Sequence, residues 1–423
     1  MKKILIAGKG GREHGLVKLA VQSPLVSKAY YAPAGNAGIA QLAEGVPIEV
    51  TAVPELAAFA EKRGIDLTVV GSEGPLAAAI VNEFRKRGLR IFGPTQEAAQ
   101  IETSKIWAKD LMNKYGIPTA KAESFSDSNE AKKYVQKIGA PVVVKVDELA
   151  AGKGVVICHT LENALLAIEN AMKKKVFAPA GKRILIEEFL EGTEITFQVI
   201  TDGTTILPLL VTQDCKPIYE GGPNTGGMWA YTLKIAAKLK QQIPERIMKP
   251  IIQAMAAEGV PYQGVLYGGL IVTSAGPKVL EFNARFGDPE LQSLVLMVKS
   301  DIIPVFEAAI DGNLSKAKIE WHDGTAFCLV MTSGGYPISY EPGKIITGLD
   351  RVVAIDGTFV FHAGTKKKGD NILTDGGRVL GVTARGKDPA EAIDKVEQVV
   401  TEIGWENEYH RKDMRQKVLT YLA

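Results

Sequence analysis

Short β-branched runs alternate with helical spacings through the first hundred residues, and this alternation constrains the fold more than any other feature. Strands are expected at Lys3 to Ala7, Ala29 to Ala32, Leu67 to Gly71 and Arg90 to Phe92. Helical spacing appears between them at Leu16 to Val21, Glu55 to Lys62 and Leu76 to Lys86. Parallel neighbours need a crossover between them, and a helix is the usual one. The segment therefore predicts a parallel sheet with helices on both faces, closed by Gly93-Pro94.

Beyond that unit the pattern changes. A helix is expected from about Ala98 to Tyr115, ended by Gly116-Ile117-Pro118. Residues 119 to 187 carry strands at Pro141 to Val146 and Arg183 to Glu187 with helices between them, a small α+β module. Residues 188 to 322 are strand-rich, with a glycine-rich loop at 221 to 227 and a strand pair, Gly264 to Thr273 and Lys278 to Phe282. From Thr325 the chain is mostly β and ends in helices after Pro389. No internal repeat or low-complexity tract is evident. The 423 residues suit about two to four domains at roughly 150 residues each.

Charge narrows the partners. Fifty Lys and Arg against 48 Asp and Glu leave a net charge of +2, which gives no electrostatic reason to expect nucleic acid or an anionic membrane. At 46% hydrophobic and 23% charged, wholesale disorder is excluded. No stretch approaches the roughly 20 apolar residues of a spanning helix. The opening apolar run stops at Gly8-Lys9-Gly10, too early for a leader. Cys158, Cys215 and Cys328 are scattered, which argues against a disulfide framework or structural zinc. A soluble, cytoplasmic protein is expected, monomeric or weakly homo-oligomeric.

Four stretches carry candidate chemistry, each with a plainer reading beside it. Gly8-Lys9-Gly10-Gly11-Arg12-Glu13-His14 follows a strand and opens a helix, where backbone amides suit a phosphate. A dinucleotide fingerprint needs glycine where Glu13 stands and an acid near Tyr30-Tyr31-Ala32-Pro33, so a nicotinamide cofactor is disfavoured. The plainer reading is a tight turn without a ligand. Lys145 ends a buried strand, and Asp147 to Val155 contains a loop whose Gly152, Lys153 and Gly154 suit a polyphosphate, or a bland hairpin. No helix opens after it, so it is not a Walker A loop. Ile186-Glu187-Glu188-Phe189-Leu190, with Glu194 beyond, suits an interdomain linker that presents backbone to an adenine and a carboxylate to a ribose. Its plainer reading is a solvated strand end. In Val279 to Glu290, period-two alternation puts Glu281 and Asn283 on one face and Leu280 and Phe282 on the other. Two oxygen ligands completed by phosphate and water suit Mg²⁺, and Arg285 suits an anion. A half-exposed strand with a salt bridge is the alternative.

Taken in order, Lys105, Lys145, Lys153, Glu187 and the Glu281/Asn283 strand resemble the ATP-grasp superfamily. The further motifs resemble one of its families, phosphoribosylamine–glycine ligase, also called glycinamide ribonucleotide synthetase. They are Gly10-Gly11-Arg12-Glu13-His14, Gly35-Asn36-Ala37-Gly38, Phe92-Gly93-Pro94, Leu149-Ala150-Ala151-Gly152-Lys153-Gly154, Gly222-Pro223-Asn224-Thr225-Gly226-Gly227-Met228, Glu281-Phe282-Asn283, Arg285-Phe286-Gly287-Asp288-Pro289-Glu290 and Phe361-His362-Ala363-Gly364-Thr365. The resemblance implies an α/β and α+β multidomain ATP-grasp protein. Its units would be an N-terminal parallel α/β domain at 1–100, a central domain at 101–118 and 188–322, a lid at 119–187 and a mostly β C-terminal domain at 323–423.

The activity implied is ATP-dependent joining of glycine to 5-phosphoribosylamine through a glycyl phosphate, in purine biosynthesis. ATP and Mg²⁺ or Mn²⁺ are the implied cofactors. By the same resemblance Lys105, Lys145 and the loop containing Ala151, Gly152, Lys153 and Gly154 hold the phosphates. Glu187, Glu188, Leu190 and Glu194 hold adenosine, and Glu281 and Asn283 hold the metal. Arg285 steadies the acyl phosphate, with Lys145 and Asp214 beside the reaction. Gly10, Gly11, Arg12, Lys216, Asn224, Thr225, Gly226, Gly227, Met228 and Asp288 line the substrate side.

Three departures from the family pattern stand out. Asp-His-Lys-Arg becomes Asp214-Cys215-Lys216-Pro217 in a shorter loop, and Trp229 stands where glycine is usual. Both changes flank one loop, so an altered acceptor pocket is expected. Ala34 is an extra residue before Gly35. Tyr267-Gly268-Gly269-Leu270 offers no metal carboxylate, as in the family. A paralogous ligase with another acceptor, or a non-catalytic nucleotide-binding protein, are the alternatives.

Overall fold

In the computed structural model the opening alternation becomes a parallel sheet. β1 (Lys2–Ala7), β2 (Val26–Ala32), β3 (Glu44–Gly45), β4 (Leu67–Val70) and β5 (Ile91–Phe92) lie in the order β3-β2-β1-β4-β5. The structure describes residues 1–149, 154–174, 176, 181–352 and 355–422. Ile4 to Ala7 of the central strand are buried whichever way they point, because helices cover both faces.

Two expected helices are interrupted. The stretch from Leu76 to Lys86 divides into Glu73–Ala77 and Ile80–Lys86 around Ala79, whose φ is 63°. The expected helix over 98–115 breaks at Ser104, which is extended (φ −132°) and caps a new helix, Lys105–Lys114, by accepting from the Trp107 amide. A serine oxygen competes for backbone donors in a way that apolar spacing does not reveal. The restart places Lys105 at the head of a helix.

A second, antiparallel sheet follows. β6 (Ala122–Phe125), β7 (Val142–Val146), β8 (Val155–Cys158) and β9 (Ile184–Glu188) take the order β6-β9-β7-β8. Helices Ser128–Ile138 and Leu161–Ile168 cover one face through Ala131, Val135, Ala164 and Ile168, packed on Val142, Val144 and Ile186. Val143, Lys145, Val155 and Ile157 line a cleft on the other.

The remaining strands are β10 (Thr193–Thr201), β11 (Ile206–Pro208), β12 (Thr212–Pro217), β13 (Asn224–Thr232), β14 (Gly264–Thr273), β15 (Gly276–Asn283), β16 (Thr325–Thr332), β17 (Thr358–His362), a hairpin of β18 (Thr365–Lys368) and β19 (Asn371–Thr374), and β20 (Arg378–Gly386). All but the hairpin join one antiparallel sheet in the order β15-β14-β10-β12-β13-β16-β20-β17, with β11 beside β10. This sheet crosses residue 323 without a break: Trp229 pairs with Leu329 and Tyr231 with Phe327. The β12–β13 hairpin is therefore shared. One face looks into the cleft, and the other joins a core of Phe327, Leu329, Val382 and Val396.

β15 departs from simple alternation. Gly269 pairs with Glu281 but Leu270 pairs with Val279, so Leu280 is an extra, bulged residue. Leu280 accordingly does not share a face with Phe282. Val279 and Phe282 enter the core, while Leu280, Glu281 and Asn283 are half-buried along the cleft. A bulge reverses the phase of a strand, and period two assumes none. Among the described residues, no helix is long and apolar enough to cross a membrane.

Candidate functional site

A cleft of about 490 Å³ opens between the small sheet, the large sheet and the N-terminal turn. Its nucleotide-like end is built on three buried side chains. Lys145 is the last residue but one of β7; its ammonium lies 2.9 Å from Glu187 Oε2 and donates to the Leu280 carbonyl at 2.8 Å. Lys109, one turn beyond Lys105, lies 3.0 Å from Glu187 Oε1 and donates to Thr119 Oγ1 at 2.6 Å. One carboxylate thus faces two lysines, leaving surplus positive charge in the cleft wall, which suits a polyphosphate. Lys105 donates to the Glu148 carbonyl at 3.3 Å; burial pulls its pKa below the usual lysine range, with Glu281 opposing.

Both oxygens of Glu187 are taken by lysines, so it is placed as an anchor for Lys145 and Lys109. That differs from the expectation that it holds adenosine. Glu188, Leu190, Glu194 and Gly154 line the cleft, and Glu188 pairs with Lys278 at 3.3 Å. Ala151, Gly152 and Lys153 lie outside the described residues. Sequence reasoning missed Lys109, although its i+4 spacing from Lys105 puts both on one helix face.

The expected metal pair lies beside this wall. Lys216 Nζ is 3.1 Å from Glu281 Oε1 and holds the Glu281 carboxyl down to about 2. Glu281 is therefore an anion whose neighbour is already a cation. The Asn283 amide satisfies its surroundings with nitrogen toward Glu102 Oε1 (3.1 Å) and the Phe282 carbonyl (3.2 Å), which turns Oδ1 away from both acceptors. An ionised carboxylate and an outward amide oxygen suit a hard divalent cation completed by phosphate oxygens. Among the described residues no cluster of three or more His, Cys, Asp or Glu side chains suits a metal.

Arg285 stands at the centre, with Nε 3.1 Å from Glu73 Oε2 and NH2 2.9 Å from Glu102 Oε1. Glu102 also accepts the Ala284 amide at 2.8 Å. Neither glutamate was singled out from sequence, because each lies far along the chain from Arg285.

The acceptor-like end draws on all parts of the chain. Asp214 and Lys216 are half-buried on the cleft face of β12; burial raises Asp214 to about 7 against the pull of Lys216. Asn224, Thr225 and Gly226 line the cleft. Gly227 has φ +117°, and a Cβ there would lie 2.6 Å from Pro289 Cδ; only glycine fits. Met228 is a correction: fully buried, its side chain belongs to the C-terminal core and not to the cleft. Arg378 NH1 donates to the carbonyls of Gly226 and Asp288, both at 2.7 Å, and NH2 lies 3.2 Å from Asp288 Oδ2. Arg378, Tyr336 and Tyr340 reach the cleft from the C-terminal region and were missed for want of a motif.

The structure puts the side chains of Cys215 and Trp229 outside the expected acceptor pocket. Asp214 and Lys216 face the cleft, so the residue between them points the other way. Cys215 is buried behind the strand, directly paired with Trp229. Trp229 is 1% exposed and stacks on Phe327 at 5.8 Å between ring centres. A small side chain opposite a large one fills the same interior space from the far side of the sheet. Arg411, itself fully buried, donates to Cys215 Sγ at 3.1 Å and to the Pro217 carbonyl at 2.9 Å, bracing the shortened loop from behind.

The N-terminal turn supplies Arg12 to the cleft, while Gly10 and Gly11 pack behind it. Cβ atoms there would lie 2.7 Å from Glu13 Oε2 and 2.7 Å from Gln292 Nε2. The Gly10 amide, offered above for a phosphate, is already bonded to Glu13 Oε2 at 2.6 Å in a capping arrangement. That explains a glutamate where a dinucleotide motif has glycine. Asn36 joins three sequence motifs by donating to the carbonyls of Lys9 (2.7 Å), His362 (2.8 Å) and Ala363 (2.9 Å). The His362 amide donates to His14 Nδ1 at 2.8 Å, and burial holds the two imidazoles down to about 4 and about 3 respectively.

Comparison with known proteins covers the same span. Family models for phosphoribosylglycinamide synthetase match its N domain at residues 2–102, its ATP-grasp (A) domain at 103–291 and its C domain at 326–417. The phosphoribosylamine–glycine ligase of Salmonella typhi is 46% identical over 420 residues, covering 97% of this chain and 97% of that protein. That of Caldanaerobacter subterraneus subsp. tengcongensis is 45% identical over 416 residues, covering 97% and 99%. The crystal structure of the Thermotoga maritima phosphoribosylamine–glycine ligase superposes with a TM-score of 0.84 at 28% identity, covering 97% of this chain and 99% of that one. A biotin carboxylase domain from Hydrogenobacter thermophilus, solved with MgADP and bicarbonate, shares the fold at a TM-score of 0.73 and 18% identity, covering 98% and 95%.

Proposed function

The chain belongs to the phosphoribosylglycinamide synthetase family, and from that premise we propose that it joins glycine to 5-phosphoribosylamine at the expense of ATP. The products are glycinamide ribonucleotide, ADP and phosphate. The observation that carries the reading is one continuous cleft, with surplus lysine charge at one end and Arg285, Asp214 and Asp288 at the other.

A glycine carboxylate is a poor electrophile. Its oxygen attacks the γ-phosphorus of ATP, the bond to the ADP oxygen breaks, and a glycyl phosphate results. The amine nitrogen of phosphoribosylamine then attacks the carbonyl carbon, phosphate leaves with the bonding pair, and the nitrogen gives up a proton. Little of this is covalent chemistry by the protein, whose work is alignment and charge neutralisation.

In this reading Lys105 and Lys145 take the phosphates, Lys145 held in place by Glu187. Glu188, Leu190 and Glu194 border the adenosine and Gly154 borders the phosphates, where exclusion of water protects the anhydride. Glu281 and Asn283 hold Mg²⁺ or Mn²⁺, which when bound neutralises phosphate charge. Arg285 steadies the acyl phosphate. Asp214, Lys216, Asn224, Thr225, Gly226, Asp288 and Arg12 border the acceptor. Arg378 acts through others, fixing the Gly226–Gly227 turn and Asp288.

The test is coupled ADP release with Mg²⁺-ATP, glycine and freshly generated 5-phosphoribosylamine, omitting each in turn. Release that needs both glycine and the amine is expected. Release with glycine alone, or only with another amine, overturns the substrate assignment.

A further inference from the structure

We propose that Glu73 binds the ammonium group of the amino-acid substrate, and with Arg285 forms the element that selects an α-amino acid over a simple carboxylate. The inference rests on the ligase reading above and adds a residue to it.

The argument begins with the substrate's charge pattern. Glycine carries an ammonium and a carboxylate one carbon apart, so its receptor needs an anion and a cation at similar spacing. Glu73 Oε2 and Arg285 Nε, 3.1 Å apart, are such a pair. Both border the cleft, and the Glu73 side chain is 32% exposed. Arg12 and Arg285 both make their closest approach to Oε2, at 3.8 and 3.1 Å, which leaves Oε1 the oxygen farther from both cations.

The other carboxylates at this end of the cleft are less suited; Glu290, for one, is 3% exposed and accepts from Thr196 at 3.3 Å. Asp288 is held by Arg378 and by Gln292, which donates at 2.8 Å. Glu281 is paired with Lys216 and belongs to the metal site in this reading. Glu102 is 6% exposed and binds Arg285 and the Ala284 amide. Asp214, raised to about 7 by burial, is only partly ionised at neutral pH. Burial also works to raise Glu73, but Arg285 and Arg12 hold it down to about 2, so it stays an anion.

Glu102 provides the internal control, because it grips the same arginine from the buried side. The experiment compares wild type, Glu73→Gln and Glu102→Gln, measuring kcat/KM for glycine and for acetate, which lacks the ammonium. The readout is ADP release with ATP and phosphoribosylamine saturating. A site built around a charged partner rejects the analogue that lacks it strongly, so wild type should prefer glycine. In Glu73→Gln that preference should shrink by about 100-fold, chiefly through the glycine KM. In Glu102→Gln both substrates should lose rate together, with their ratio kept. If Glu73→Gln instead lowers both equally, Glu73 merely positions Arg285 and the proposal fails. If wild type releases no ADP with glycine and amine, it is the ligase reading that fails.

Discussion

The two ends of the cleft manage charge in opposite ways. At the nucleotide-like end, two buried lysines share one carboxylate, so positive charge is left over. At the acceptor-like end each cation already has an anion: Arg285 with Glu73 and Glu102, Arg378 with Asp288, Lys216 with Glu281. The first arrangement attracts a polyanion. The second holds groups in place for reactants carrying both signs, where unbalanced charge would misdirect binding. A substitution at the first end should therefore cost affinity for ATP, while one at the second should disturb alignment.

Glu281 stands where the ends meet and gives the sharpest test. Glu281→Ala should lower ADP formation about 10⁴-fold, roughly 5.5 kcal/mol of transition-state stabilisation, with an unchanged circular dichroism spectrum, since its side chain lies along the cleft. Near-normal turnover would remove Glu281 from the metal site. Trp229 tests the back of the same region. Trp229→Ala should destabilise the fold by about 3–5 kcal/mol, as large-to-small core substitutions do, read from urea melts. Its acceptor KM, measured cold on the folded fraction, should stay at the wild-type value. A change confined to that KM would return Trp229 to the acceptor pocket.

Those two residues also show what the sequence discloses. Glu281, Asn283, Lys145 and Arg285 were legible because each sits in a short run whose residue types suit phosphate or metal. The strand parity that puts Asp214 and Lys216 in the cleft also sends Cys215 behind it, and applying it would have moved the substitution out of the pocket. The bulge at Leu280 was not legible, since nothing in its neighbours requires an extra residue. Lys109 had a local signal in its i+4 spacing. Glu73, Glu102 and Arg378 had none, because they meet their partners only when N-terminal, central and C-terminal segments come together.

Arg378 tests that assembly at smaller amplitude. Arg378→Met removes three contacts to Gly226 and Asp288 without touching the lysine wall. The phosphoribosylamine KM should rise about 30- to 100-fold, roughly 2–2.7 kcal/mol, with the ATP KM within about twofold in initial-rate assays. A matching rise in the ATP KM would mean the two ends are not separable.

The seam between the N-terminal turn and the C-terminal strands carries the smallest effect, and it depends on pH. His14 and His362 are buried and lie far below the ordinary histidine value, at about 3 and about 4, chiefly through burial. A folded-state pKa below the unfolded one means that the unfolded chain binds more protons, so stability rises with pH. The contribution is complete above about 6.5 and is lost as pH falls through about 4 and then about 3. At pH 5, some 1.5 units below the ordinary value, each histidine should have lost about 2 kcal/mol. Asp214 in the cleft, raised to about 7, takes up a proton over the same range with the opposite sign, adding stability as pH falls, so the loss belongs to the seam that Asn36 ties. Thermal melts of wild type and His14→Gln between pH 7.5 and 5 would show it: each compared with itself at pH 7.5, the variant should retain about 2 kcal/mol more stability at pH 5 than wild type, the Asp214 contribution being common to both. Parallel slopes would show that His14 takes up its proton in the folded protein as readily as in the unfolded chain, and the seam would then owe nothing to a neutral imidazole.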